Sequence, residues 1–147
     1  MPILNIHLVE GMHTPLQQQQ LLVEASQFYA DALRSPINRV RAFITIHAPE
    51  LWVTGGVPAS VSRQSAPFFT AIVLEGRPKE QRQRLLAGVT DIIVKVLKVD
   101  VALVRGCVTR IDPDDWAIGG VPASILRKTE VDARAAAAVS AEKSGNY

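Results

Sequence analysis

Residues 54–60 read TGGVPAS and residues 118–124 read IGGVPAS, so that Gly55–Ser60 and Gly119–Ser124 repeat six identical residues at a spacing of 64 in a chain of 147. The likeness extends outward from there. PILNIHLVEG (2–11) aligns with PFFTAIVLEG (67–76) at a spacing of 65, and VRAFIT (40–45) aligns with VRGCVT (104–109) at 64, as Trp52 does with Trp116. The single-residue slip falls between the Glu-Gly turn and the middle of the following helix, where a loop can absorb it. Matches in the same order along most of both halves mark a tandem duplication: a first unit at 1–63, a second at 64–128 and a tail at 129–147.

Each unit reads as β-α-β. In the first, Leu4, Ile6 and Leu8 alternate with Ile3, Asn5, His7 and Val9, the two-residue period of a strand. From Pro15 to Leu33 the apolar positions Leu21, Leu22, Ala25, Phe28, Tyr29, Ala32 and Leu33 recur at helical spacing. The QQQQ tract at 17–20 is a polar helix start rather than low-complexity sequence. RSPIN ends the helix, and Val40–Ile46 is the second strand. The second unit predicts a strand over Phe68–Leu74, a helix opened by Pro78 and carrying Leu85, Leu86, Val89, Ile92, Ile93, Val96 and Leu97, and a strand over Val101–Thr109.

A helix joining two adjacent strands that run the same way is a right-handed crossover. The fold class expected is therefore α/β (α+β), a four-stranded sheet with both helices on one face. The opposite face reads as apolar too, which calls for another subunit to cover it. The GGVPAS segments suit short hairpins or edge strands, since paired glycines permit tight turns. The tail can form a helix or fray and is given no function.

Composition narrows the function. Hydrophobic residues make up 48% and charged residues 20% of the chain, values of a globular domain rather than a disordered one. A net charge of +2 with dispersed basic residues and 5% aromatics gives no footprint for nucleic acid. No apolar run approaches the roughly 20 residues of a membrane span, and no signal peptide is visible, so a cytoplasmic protein is expected. Cys107, in the apolar run VALVRGCVT, reads as a buried structural thiol. His7, His13 and His47 lack metal-ligand spacing and read as structural. DPDD at 112–115 reads as a solvated turn. No metal and no cofactor are expected.

The combination of Pro2, the Glu-Gly turn, the strand arginine, the tryptophan and the glycine pair resembles the tautomerase superfamily, most closely 4-oxalocrotonate tautomerase, over roughly residues 2–60 and again 67–126. The resemblance implies a fused, doubled tautomerase assembling as a homotrimer, with a small carboxylic acid as substrate. It also implies that the catalytic group is the amino-terminal proline exposed when Met1 is removed. Pro2 then has a free secondary amine, and burial beside arginines lowers an amine's pKa towards neutrality, as a proton shuttle needs. Pro67 aligns with Pro2 but its nitrogen is an amide, so one active site per chain is expected.

By the same resemblance the strand arginine, Arg41 or Arg105, binds a substrate carboxylate and polarises the adjacent carbonyl, a task suited to a guanidinium fork. The arginine after the Glu-Gly turn, which holds a second carboxylate, is Met12 in the first unit and Arg77 in the second. A diacid pocket at Pro2 therefore requires Arg77 to reach across between units. The pocket aromatic matches Trp52 and Trp116, with Trp116 the better match for the wall beside Pro2. The implied reaction is keto–enol isomerisation of a 2-hydroxymuconate-like acid. Two alternatives stay open. One is dehalogenation, hydration or decarboxylation with the proline protonated, although Thr54 and Ile118 stand where hydrolytic relatives carry a carboxylate. The other is a non-catalytic trimeric binding protein.

Overall fold

Alternation along the strands decides which side chains meet the helices. The computed structural model describes residues 2–145. In the first unit β1 (Ile3–Val9) leads into α1 (Pro15–Leu33) and returns as β2 (Arg41–His47). The second unit repeats this with β5 (Phe68–Leu74), α3 (Lys79–Leu97) and β6 (Arg105–Ile111). Between them, β3 (Val53–Thr54), β4 (Val57–Pro58) and the one-turn helix α2 (Ala59–Ser62) follow β2, and their copies β7 (Ala117–Ile118), β8 (Val121–Pro122) and α4 (Ala123–Leu126) follow β6. The main sheet has the order β2-β1-β5-β6, parallel within each unit and antiparallel between units.

Both long helices cover one face. Leu4, Ile6 and Leu8 of β1 and Phe69, Ala71 and Val73 of β5 meet Leu21, Ala25 and Tyr29 of α1 and Leu85, Val89 and Ile93 of α3, all of them buried. Each large side chain in this layer contributes about 1.5–3 kcal/mol by leaving water. A close approach fixes the layer at β6: the Phe69 ring lies over Gly106, its ladder partner, in the space a Cβ would take.

Local chemistry sets the helix boundaries. Thr14 caps α1 by accepting from the Gln17 amide at 3.1 Å, while the Gln17 side chain accepts from the Thr14 amide at 2.9 Å, a reciprocal box with Pro15 at the first helical position. The first glutamine of the tract thus closes the helix start. The slip in the repeat lies here: three residues separate Gly11 from Pro15, and two separate Gly76 from Lys79. Each GGVPAS is a two-residue hairpin whose glycines both have positive φ, 60° and 81° at Gly55 and Gly56, and 57° and 84° at Gly119 and Gly120. The alanine after each hairpin donates its amide to the tryptophan carbonyl before it, Ala59 to Trp52 and Ala123 to Trp116, both at 2.8 Å. The motif therefore holds the backbone of the tryptophans.

Three expectations change, and the one left open for the tail is decided. Val101–Leu103 is a 3-10 turn, capped by the Asp100 side chain accepting from the Ala102 amide at 2.9 Å, so the strand begins only at Arg105. Cys107 is exposed, because alternation turns it to the open face, away from the helices. That open face is not uniformly apolar. Phe43 and Phe68 are partly exposed there, but between them Thr45 donates to Asn5 at 2.9 Å, Asn5 meets His7 at 3.2 Å, and His7 Nδ1 meets His47 Nε2 at 2.7 Å. Finally, the tail forms α5 (Lys128–Ser144), none of whose residues is buried. No helix among the described residues is long and apolar enough to cross a membrane.

The histidine pair makes stability depend on pH. Burial, and then the charge of His47, hold the His7 pKa below the usual imidazole value of 6.5, and burial does the same to His13. The unfolded chain therefore binds more protons as pH falls below 6.5, and stability is lost from there towards the lower folded values. The urea midpoint is expected to drop between pH 7.5 and pH 5.5, with a flatter slope in His7→Asn. A slope identical in the variant and the parent would refute this account.

Candidate active site

The register of β1 against β5 sorts the candidate residues into two groups. Ile3 lies opposite Ile72 and His7 opposite Phe68, so the start of β1 adjoins the end of β5. Ile3 pairs with Arg41, and Leu74 with Ile111. Pro2, Arg41, the turn carrying Arg77 and the segment leading to Trp116 therefore share one end of the sheet. Pro67, Arg105, the turn carrying Met12 and the segment leading to Trp52 share the other. The six candidates divide as Pro2, Arg41, Arg77 and Trp116 towards one end against Arg105 and Trp52 towards the other.

At the first end Pro2 is under 2% exposed, and its carbonyl accepts from the Arg41 amide at 3.0 Å. The Arg41 side chain is exposed, with Nη1 donating to the carbonyls of Asn38 at 2.8 Å and Val40 at 3.2 Å. Tyr29 reaches in from α1 and donates its hydroxyl to the Ile72 carbonyl at 2.7 Å and, more weakly, towards Ile3 at 3.4 Å. Burial pushes the Tyr29 phenol up, which keeps it a neutral donor. Arg77 is half-buried and donates from Nη1 to the Leu33 carbonyl at the end of α1, at 2.6 Å. Burial, then the nearby charge of Arg134, lowers its pKa to about 10. It stays a cation at neutral pH in a region crowded with positive charge.

At the second end a cleft of about 490 Å³ is lined by Trp52, Thr54, Ala66, Phe68, Leu103 and Arg105. Arg105 donates its amide to the Pro67 carbonyl at 3.0 Å and its Nη1 to Ala102 and Val104 at 2.6 and 3.0 Å. The imidazole of His47 meets Trp52 edge-on at 5.1 Å between ring centres.

The two ends differ at three matched positions. Tyr29 corresponds to Ile93, Arg39 to Leu103, and Arg77 to Met12 in the alignment of the turns. In each case the polar or cationic member lies at the Pro2 end. Sequence reasoning placed Tyr29 in the helix core and passed over Arg39. The signal was available, as a hydroxyl and a guanidinium in one copy where the other copy is aliphatic. Among the described residues no group of three or more His, Cys, Asp or Glu gathers as a metal site.

Known proteins match both the unit and the doubled fold. A family model described as tautomerase enzyme matches residues 67–124. The 2-hydroxymuconate tautomerase of Pseudomonas sp. (strain CF600) is 36% identical over 64 residues, which cover 44% of this chain and 100% of that protein. The 2-hydroxymuconate tautomerase of Pseudomonas putida is 32% identical over 62 residues, 42% of this chain and 98% of its own. These relatives have the length of one unit. The solved structure of a native fused 4-OT superposes with a TM-score of 0.79 at 27% identity, covering 84% of this chain and 98% of its own. An asymmetric trimer, F6 fused 4-OT, superposes at 0.75 with 26% identity and the same coverage. The chain belongs to the tautomerase family, as a member that carries the family's β-α-β unit twice.

Proposed function

We propose that the protein is a cofactor-independent tautomerase that isomerises a small unsaturated 2-hydroxy acid, of the 2-hydroxymuconate kind, to its 2-oxo form. The observation that carries this reading is the asymmetry between the two ends. The single proline that can become an amine stands at the end furnished with Tyr29, Arg39, Arg41 and Arg77, and its amide copy at Pro67 stands at the poorer end.

The chemistry requires Met1, which lies outside the described residues, to be removed. The neutral amine of Pro2 then takes the proton of the substrate's 2-hydroxyl. The electron pair released forms the carbonyl and shifts along the conjugated chain, and protonated Pro2 returns the proton to the far carbon. Proton and electrons balance without a redox partner. A buried site beside guanidiniums disfavours the ammonium form, which keeps the base available near neutral pH. Arg41 holds the carboxylate next to the reacting oxygen and stabilises the negative charge that develops on it. Arg77 takes a second carboxylate, and Trp116 walls off water. Arg105, at the far end of its own chain, has access to a Pro2 site only from a neighbouring protomer. A homotrimer is the assembly expected, by likeness to the fused 4-OT trimers; light scattering on the eluting protein is expected to give three times the 16.0 kDa chain, and a monomer would count against it.

Two measurements test the mechanism. Intact mass is expected to lack Met1, and Pro2→Ala is expected to lower kcat/KM on 2-hydroxymuconate by about 10²–10⁴-fold, the usual contribution of a positioned base. Equal rates for the variant and the parent would end the reading. The placement of the tryptophans gives a sharper comparison. Trp116→Ala is expected to cost about tenfold in kcat/KM, the effect of about one pKa unit on the base, and Trp52→Ala markedly less. The reverse order would move the site to the other end of the sheet.

A further inference from the structure

Helix α5 buries none of its residues, yet it is seated against the body of the protein. Its fastening is ionic. Glu130 accepts from Arg39 through three contacts at 3.0–3.2 Å, and Arg134 lies 3.7 Å from the same carboxylate. The stem of Arg134 packs on the turn before Arg77, where a Cβ added to Gly76 would come within 3.2 Å of the Arg134 Cβ. Arg77 feels the charges of Arg134, Glu130 and Arg39 together.

The charges at this point do not balance. Three guanidiniums, on Arg39, Arg77 and Arg134, share one carboxylate, and Arg77 donates only to a backbone carbonyl among the described residues. Close by in sequence, Nε of Arg127 is buried with no hydrogen-bond partner among the described residues. Half-buried cations are ordinarily paired, because leaving them unpaired forfeits solvation without return. The excess of positive charge lies at the Pro2 end, where Arg39 stands two residues before β2 and Arg77 follows β5. The family match ends at residue 124, so α5 lies beyond it.

We propose that α5 completes the pocket for the distal carboxylate of a dicarboxylate substrate, with Arg134 joining Arg39 and Arg77 around it and Glu130 occupying that place when the pocket is empty. This deepens the tautomerase reading and rests on it for the word substrate, but the binding site itself stands on the charge cluster. Arg134 is then a specificity-determining residue supplied by a segment outside the duplicated units. A diacid displaces Glu130 and pairs with the guanidiniums. A monoacid of the same length leaves Glu130 in place and gains nothing from α5.

The test compares two unreactive six-carbon dienes of the same geometry, trans,trans-muconate with two carboxylates and sorbate with one, by calorimetric titration of the full chain. The parent is expected to bind muconate tighter by roughly tenfold or more, the worth of a charge-assisted hydrogen bond. Arg134→Ala is expected to bring the ratio close to one, and Arg134→Lys to recover part of it. Lys128→Ala, which breaks a surface pair with Asp132 on the same helix, is the control and keeps the parental ratio. An equal loss for both ligands in Arg134→Ala would reduce the residue to a structural prop and overturn the proposal. An unchanged ratio in Arg134→Ala, or no preference in the parent, would overturn it as well. If the preference holds while Pro2→Ala retains full turnover, the proline mechanism fails and the diacid pocket survives.

Discussion

The antiparallel seam between β1 and β5 is the constraint on which the rest of the structure depends. Each unit makes its own parallel pair, and a parallel pair alone places a unit's proline and strand arginine at the same end. The seam turns the second unit through a half-rotation, so that the turn after β5 arrives beside the start of β1. The turn carrying Arg77 and the approach to Trp116 thereby lie at the same end of the sheet as Pro2. Were the units joined in parallel, the turn after β5 would lie at the far end of the sheet from Pro2.

That half-rotation also separates the two ends that duplication makes available to different residues. A symmetric pair of units builds two equal ends. A fused pair can assign different residues to each, and this chain does so at Tyr29 against Ile93, Arg39 against Leu103 and Arg77 against Met12. The hydroxyl of Tyr29 satisfies strand carbonyls at the very point where the seam ladder runs out, so it is structural support for the Pro2 end as well as a mark of the asymmetry. At the other end the rings of His7 and His47 stand against Phe68 and Trp52 beside the cleft of Arg105, and the proline nitrogen there, on Pro67, is an amide.

Much of this was legible in the sequence because duplication displays the same physical pattern twice. The strand over Phe68–Leu74 and the helix over Pro15–Leu33 have the bounds expected from their periodicity. The hairpins followed from paired glycines. Misreadings arose where a local interaction overrode the pattern. An apolar run at 101–103 looks like a strand, but the Asp100 carboxylate captures a backbone amide and winds it into a turn. Cys107 lies in an apolar run, yet only alternate residues of a one-sided sheet are buried. The open face reads as apolar only if Asn5 and His7 are passed over; what the linear sequence does not show is that these two pair with Thr45 and His47 across strands. The seating of α5 was not legible at all, because it depends on ion pairs between residues about 90 positions apart, such as Arg39 and Glu130, rather than on any periodicity.

The short passage from α2 to β5, residues 63–67, has a consequence of its own. In single-unit proteins the two halves of such a sheet must find each other by collision, so their pairing weakens on dilution. A tether of a few residues replaces that mass action with a high local concentration that does not change with the amount of protein present. The two halves are also made in a fixed one-to-one ratio. Neither half can be exchanged for a copy of the other, and each is free to accumulate changes that would be harmful if both carried them.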